Sequence, residues 1–474
     1  MTRHSVLVLG VVALVAIGFG PAVVGLSVGA SAVGTGFAHP ELSASYVGPA
    51  VLHDGAPGSC GVLHCYTPQE IQDAYGYNSA YAAVGGYANA GKGETIVIFD
   101  AFGDPNVSSD LSIFDAAFGL PAAHLNVICP NGCPTLDLTG DTAQSLDEIG
   151  WTQEITLDTQ YAHAMAPAAT LDLVVAWNDS NQMIAQAEGY ALVHHLGNIW
   201  SQSFGSPECT FTPGPSNPWF AENNLIYAAA AAEGITIFAS AGDAGAQLGC
   251  ATPSASYPAD NPFNIAVAGT FLNISFPASE TVSSPLQSAV GSYGYETTWN
   301  DFENPDLQPY GIVFGVTGGA PSVYFPAPAY QAVHKIVPYT CTGSTPSTCS
   351  AGTPFHPAGK VTADVAYDAG VDGGVLGYYD ASPALAAGFY IFGGTSAGSP
   401  QWAAIAAIAG QMHHGAPLGD FAPIIYLLGG TRALHDVTVG SNAVEPGVGF
   451  LATPGWDAAS GMGSPDVGVI APLL

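Results

Sequence analysis

The sequence predicts an α/β protein built on a mostly parallel sheet flanked by helices on both faces. Two observations carry this. Apolar runs of strand length recur as ETIVIFD (94–100), ATLDLVVA (169–176), NIWSQSFG (198–205), ITIFAS (235–240) and FNIAVAG (263–269), and helical patterns at 145–165, 181–195 and 217–233 fall between them. Strand and helix in alternation point to parallel pairing, because a parallel neighbour needs a crossover and a helix supplies it. Continuous apolar runs, with no polar alternation, are those of strands covered on both faces. Reactive groups in such sheets belong at the carboxyl ends of the strands, where SAGDAG follows the strand 235–240.

In chain order, residues 1–32 combine Arg3, an apolar run at 5–19 and small residues around Ala30, Ser31 and Ala32. This reads as a secretory signal, with an uncleaved N-terminal anchor as the competing reading. Residues 33–65, rich in Gly, Ala, Ser and Pro, read as an extended N-terminal arm. Domain 66–474 opens with YTPQEIQDAYG, where Thr67, Pro68 and Glu70 mark a capped helix start. Residues 271–360 carry Gly, Pro, Ser and aromatics and read as long loops or short hairpins. In GGTSAGSPQWAAIAAIAGQM an apolar helix begins at about Ser396.

Five Lys and Arg stand against 37 Asp and Glu, a formal net charge of -32 at pH 7. That balance excludes nucleic acid and anionic membranes as partners, apart from the N-terminal anchor reading. Only 9% of residues carry charge, which favours adaptation to an acidic exterior over the dense charge of a halophile's surface. Eight cysteines in an exported chain point to disulfides. Their clustering would pair Cys60 with Cys65, Cys129 with Cys133 and Cys341 with Cys349, leaving Cys209 and Cys250, although sequence alone does not fix connectivity. Sequons at Asn106, Asn178 and Asn273 fit surface loops.

Chemistry concentrates in three stretches. In WTQEITLDTQYAHAMAP, Glu154 and Asp158 lie four residues apart and project from one helix face. Two acids at that spacing repel unless they share a proton; alone, such a pair is most often a solvent-facing stripe. Asp243 lies in SAGDAG. Ser396 lies in GGTSAGSP, where glycines allow close backbone approach and a helix start supplies free N–H groups. A Ser at that position is usually only a cap. Histidine catalysis is disfavoured, since no HGT-like motif precedes Ser396, His194 and His195 end a helical pattern, and the His-Gly at His414 follows the Ser.

Together, Glu154 and Asp158, Asp243 in SAGDAG and Ser396 in GGTSAGSP resemble, in spacing and order, the sedolisin family of serine-carboxyl peptidases, including kumamolisin-like members. The resemblance runs from about Tyr66 to the C-terminus. It implies a subtilisin-like fold and an acid-acting endopeptidase: Glu154 as general base for Ser396, Asp158 sharing its proton, and a protonated Asp243 with the Ser396 N–H stabilising the oxyanion. It also implies one structural Ca2+ in the loops LHDVTVG and ATPGWDAASGMGSP, with carboxylates from Asp436 and Asp457 and carbonyls from Val437, Thr453 and Gly455. Polypeptide substrates, a monomer and an extracellular, acidic setting go with it.

Three departures from the family pattern stand out. Asp100 occupies the place of a network Glu, Phe204 that of a Trp, and only about 33 residues separate the expected signal from Tyr66, where the family usually has a large prodomain. A catalytically inactive homologue acting as a surface binding protein, and a tripeptidyl exopeptidase, are the alternatives.

Overall fold

The computed structural model describes residues 25–26, 37–48, 57–61, 63–211, 214–278, 280–282, 287–343 and 348–474. The expected signal or anchor at 1–32 lies outside the described residues except for 25–26. Across the main sheet the strands run Ser292–Thr298, Ile265–Ser275, Thr236–Ser240, Ile199–Gln202, Thr95–Ala101, Thr170–Ala176 and His124–Ile128. Val365–Asp368 pairs beside Ile265–Ser275. The pairings are parallel except that of Ser292–Thr298, an antiparallel edge. This is the subtilisin-like α/β arrangement.

The expected helices form as Ala143–Met165, Asn181–His194 and Pro218–Ala232. Ala143–Met165 begins at a Thr142 capping box with Ser145, which satisfies end N–H groups that would otherwise be orphaned. From Glu148 to Met165 every residue of this helix is buried, so it threads the interior instead of lying on a surface. Gly398–Met412 is the second interior helix, buried from Gly398 to Gly410. Its alanines let it pack closely against both Ala143–Met165 and the strands Ile199–Gln202 and Thr236–Ser240. The two buried helices meet under the carboxyl ends of the strands.

Part of the expected arm is incorporated into the body. Ser43–Gly48 pairs antiparallel with Gly388–Gly393, the strand leading to Ser396, and Leu63–Tyr66 pairs parallel with Gly374–Tyr379. Hydrogen bonding across these strands, invisible to local periodicity, sets the boundary of the fold earlier than Tyr66. The single run at 198–205 divides at Ser203: Ile199–Gln202 stays in the main sheet, whereas Phe204–Pro207 pairs with His39–Pro40 and Ser256–Tyr257. All four disulfides join the cysteines that clustering pairs: 60 with 65, 129 with 133, 209 with 250 and 341 with 349.

Lys360, fully buried, anchors the loops behind the sheet. Its Nζ lies 3.2 Å from Asp364 Oδ2 and donates to the carbonyls of Asn261 and Asn264. Asp364 also accepts from Ala266 N–H, Gln331 Nε2 and the Tyr426 hydroxyl. A buried pair so enclosed is costly to break from one side. Lys360→Met should therefore lower the unfolding free energy by about 3–5 kcal/mol in a urea titration; an unchanged midpoint would show that breaking the pair leaves no uncompensated charge behind.

Elsewhere carboxyls are buried without any cation. Burial lifts Glu188, Asp104 and Asp301 to about 7 in each case, against the opposing pull of their hydrogen bonds. Such groups bind protons more tightly folded than unfolded. Their contribution to stability is complete below the ordinary carboxylate range near 4 and is lost as pH rises through about 7. The thermal midpoint should accordingly fall between about pH 4 and pH 8, with a shallower fall in Glu188→Gln; a midpoint that climbs over this interval would contradict the assignment.

Candidate active site

Gly388–Gly393 delivers the chain to Gly394, where φ is 109° and only glycine is unstrained. A Cβ there would also collide with the Glu41 carbonyl oxygen and stand 2.5 Å from Asp243 Oδ2. The next residues form a 3-10 turn, Thr395–Ala397, which runs into the buried helix Gly398–Met412. Ser396 is wholly buried, and its N–H donates to the Glu41 carbonyl at 3.1 Å. Its hydroxyl donates to the Ser203 carbonyl at 3.1 Å, whereas the sequence reading expects Glu154 as acceptor. Neither oxygen of Glu154 has a hydrogen-bond partner of normal geometry, yet Ser396 lies close enough to draw its pKa down against stronger opposing effects.

Glu154 and Asp158 are indeed on one face of Ala143–Met165, and the face is interior, not solvent-facing; both residues are fully buried. Burial pushes Glu154 far above the carboxylate range, and the charges of Asp158 and then Asp100 push it further. Asp158 is raised by burial too, opposed by the Ser203 hydroxyl, which donates to its Oδ1 at 2.7 Å. Asp100, at the end of the first central strand, is buried with both oxygens unpaired and is raised by burial and by Asp158. Three carboxyls thus cluster without a cation, so the group holds shared protons at neutral and acid pH. Phe204 packs 5.9 Å from Trp151 of the same helix.

Asp243 approaches from beyond Thr236–Ser240. Its Oδ1 accepts both the Thr395 N–H and the Thr395 hydroxyl at 2.8 Å, while Oδ2 has no partner. Burial raises this carboxyl to about 8, against the two Thr395 bonds. A protonated Asp243 must then carry its hydrogen on Oδ2, because Oδ1 already accepts two donors. Oδ2 and the Glu41 carbonyl oxygen both border the space that a Cβ on Gly394 would take, and the Ser396 N–H donates to that carbonyl.

The five residues expected at the cation site also come together. Gly455 N–H donates to Asp436 Oδ2, Thr453 N–H donates to Asp457 Oδ2, and Ser460 Oγ bridges the Val437 carbonyl and Asp457 Oδ1. Asp457 Oδ1 accepts three donors and Oδ2 one, leaving Oδ2 a lone pair in hand. Two carboxylates and the Val437 carbonyl thus meet in these loops, and oxygen donors of this kind suit a hard divalent cation.

Sequence reasoning misses two residues of the site. Ser203 touches both halves, and the only trace in the sequence is its place in SQSFG, just before the divergent Phe204. Glu41 enters from a segment with no periodicity, and only the assembled strands reveal it.

No family model matches the chain. Kumamolisin of Bacillus sp. (strain MN-32) is 29% identical over 404 residues, which cover 84% of this chain and 62% of that protein. Sedolisin of Pseudomonas sp. (strain 101) is 28% identical over 433 residues, 88% of this chain and 62% of that protein. Human tripeptidyl-peptidase 1 is 28% identical over 291 residues, 57% of this chain and 42% of the relative. The chain thus spans less than two thirds of these relatives. A solved structure of Pseudomonas sedolisin, a serine-carboxyl proteinase complexed with two molecules of pseudo-iodotyrostatin, superposes with a TM-score of 0.65 at 24% identity. It covers 87% of this chain and 98% of its own, a likeness of fold. With two long matches in sequence and the same fold, the chain is similar to the sedolisin family, the serine-carboxyl peptidases.

Proposed function

We propose that the chain is a serine-carboxyl endopeptidase acting on polypeptides outside the cell in acid, through an acyl-enzyme on Ser396. The observation that carries this reading is the Ser396 N–H held on a peptide carbonyl, that of Glu41, beside a turn that Asp243 Oδ2 also borders, with the buried Glu154 near enough to Ser396 for its pKa to feel it. In the first step the Ser396 hydroxyl turns from the Ser203 carbonyl to Glu154, which takes its proton as Oγ attacks the substrate carbonyl carbon. Asp158 and Asp100 stay protonated, so before the attack the cluster carries a single negative charge, on Glu154, and no second carboxylate opposes it. Asp243, raised to about 8, stays neutral in acid and donates to the forming oxyanion together with the Ser396 N–H. Glu154 then protonates the leaving amine, and water, deprotonated by Glu154, releases the acyl group.

Endopeptidase action is favoured over tripeptide release because the cleft accepts chain on both sides of the held carbonyl. Four residues, Phe37 to Pro40, precede Glu41, and the strand Ser43–Gly48 follows it. A tripeptidyl exopeptidase would admit only three residues before the cut. The four disulfides fit an exported protein. Among the described residues no helix is long and apolar enough to cross a membrane. Asp436, Val437, Thr453, Gly455 and Asp457 would hold one calcium ion, which pins two C-terminal loops together when bound. We read the protein as a monomer.

Incubation with a denatured protein at about pH 3, below the ordinary carboxylate range, should yield peptides of varied length, whereas uniform tripeptides would favour the exopeptidase. Ser396→Ala and Glu154→Gln should each lower kcat by about 10⁴-fold or more; retained cleavage in Ser396→Ala would remove Ser396 as the nucleophile, and no cleavage by the unsubstituted chain would leave the binding-protein reading. Chelation, or Asp457→Ala, should lower the thermal midpoint, with recovery on added Ca2+ in the unsubstituted protein only. Equal midpoints with and without the ion would exclude the calcium site.

A further inference from the structure

Outside the catalytic group, a second set of ligand-type side chains meets at a cavity of about 330 Å³. His64, Asp306 and Asp372 line it, and one ligand atom of each lies within 4.8 Å of the other two. The proposed chemistry at Ser396 uses none of them. His64 belongs to Leu63–Tyr66, which pairs parallel with Gly374–Tyr379, so Asp372 arrives just ahead of the neighbouring strand. The Gly373 N–H donates to the His64 carbonyl at 2.9 Å, and the His64 N–H donates to Asp372 Oδ1 at 2.7 Å. Cys65, the next residue, is tied to Cys60 by a disulfide. Backbone bonds and a covalent link thus set the imidazole beside the carboxylate.

Asn304, itself buried, reaches both acids. Its Nδ2 donates to Asp372 Oδ2 at 3.1 Å, and its Oδ1 accepts the Asp306 N–H at 2.9 Å. A side chain that orients ligands from behind is the outer layer on which metal centres depend. His64 Nδ1 stands 2.9 Å from Asp372 Oδ1. A tetrahedral ion with bonds of about 2.0–2.1 Å holds its ligand atoms about 3.3 Å apart, so this pair need open by only a few tenths of an ångström. The Asp372 side chain is 4% exposed and held through both oxygens, whereas His64, at 55%, and the exposed Asp306 have room to turn toward an ion. An ion pair between His64 and Asp372 alone needs neither Asp306 nor the Asn304 amide that joins the two acids.

We propose that His64, Asp306 and Asp372 bind a divalent first-row transition ion, zinc above all, with its fourth position open to the cavity. One imidazole and two carboxylates suit zinc and its neighbours, whereas the oxygen donors of the C-terminal loops suit a harder ion. The two sites therefore take different metals. Two carboxylates and a neutral imidazole also cancel the charge of the ion, and water from the cavity completes its coordination. The ion joins three stretches that are far apart in sequence: Leu63–Tyr66, the turn before Gly374–Tyr379, and the loop of Asn304 and Asp306. Gly374–Tyr379 in turn pairs with Gly388–Gly393, the strand that leads to Ser396. Metal at His64 thus braces the sheet that carries the nucleophile without touching the reaction. The inference is independent of the peptidase reading.

The test titrates the full chain with zinc chloride by calorimetry at about pH 8, above the ordinary imidazole range, so that the ligands are free of protons. Excess Ca2+ is present throughout, to occupy the C-terminal loops and any carboxylates that take a dication without selectivity. The expected result is zinc binding with a rise in the thermal midpoint, both lost in His64→Asn. Asp306→Asn should weaken binding at least about tenfold, and Asn304→Ala, which removes only the outer layer, about 10- to 100-fold. His356→Asn, at an exposed histidine elsewhere, should bind as the unsubstituted chain does. No zinc binding by the unsubstituted chain, or equal binding in His64→Asn, would overturn the proposal. Asp306 is exposed, so Asp306→Asn tests the site even if His64→Asn fails to fold, and undiminished affinity in it would overturn the proposal as well.

Discussion

Carboxyl groups gathered in the interior with no cation to balance them are the constraint on which this molecule turns. The chain has five Lys and Arg in all, and among the described residues the one found deep inside, Lys360, serves Asp364. Glu154, Asp158, Asp100 and Asp243 must therefore be kept tolerable by protons and by neutral donors such as Ser203 and Thr395. The two interior helices exist in that form because they enclose this cluster: one carries the acid pair inward, and the other follows the turn that presents Ser396 to it. Acid conditions satisfy the fold and the proposed chemistry through the same protons. An imidazole base would have needed none of this, and would have been protonated and idle in the same surroundings.

Much of the architecture was legible because it is written in local periodicity. The runs ETIVIFD, ATLDLVVA and ITIFAS became central strands with boundaries shifted by a residue or so. The four-residue interval between Glu154 and Asp158 fixed a shared face, but whether that face met solvent or the core depended on which helix came to lie against it. Clustered cysteines also told their partners, since short spans leave little choice. What stayed hidden lies in contacts between distant parts of the chain. Pro40 and Glu41 sit in a stretch with neither helical nor strand period, and their place beside Ser396 follows from pairing of Ser43–Gly48 with Gly388–Gly393.

The departures from the family pattern also acquire physical sense. Asp100 lies near Asp158 and adds a third acid to the cluster, so a shorter side chain still joins the network through space even without a direct hydrogen bond. Phe204, where a Trp was the pattern, packs on Trp151, so the indole is supplied from the helix side of the contact.

The carbonyl of Ser203 receives both the Glu41 N–H and the Ser396 hydroxyl, and the Ser203 hydroxyl grips Asp158. A single peptide unit is thereby wired to the guest strand, to the attacking atom and to the acid reservoir. Any guest that sits askew would tug this unit and disturb the hydroxyl and the shared proton together, so fidelity of seating and readiness to react are read by one residue instead of being checked in turn.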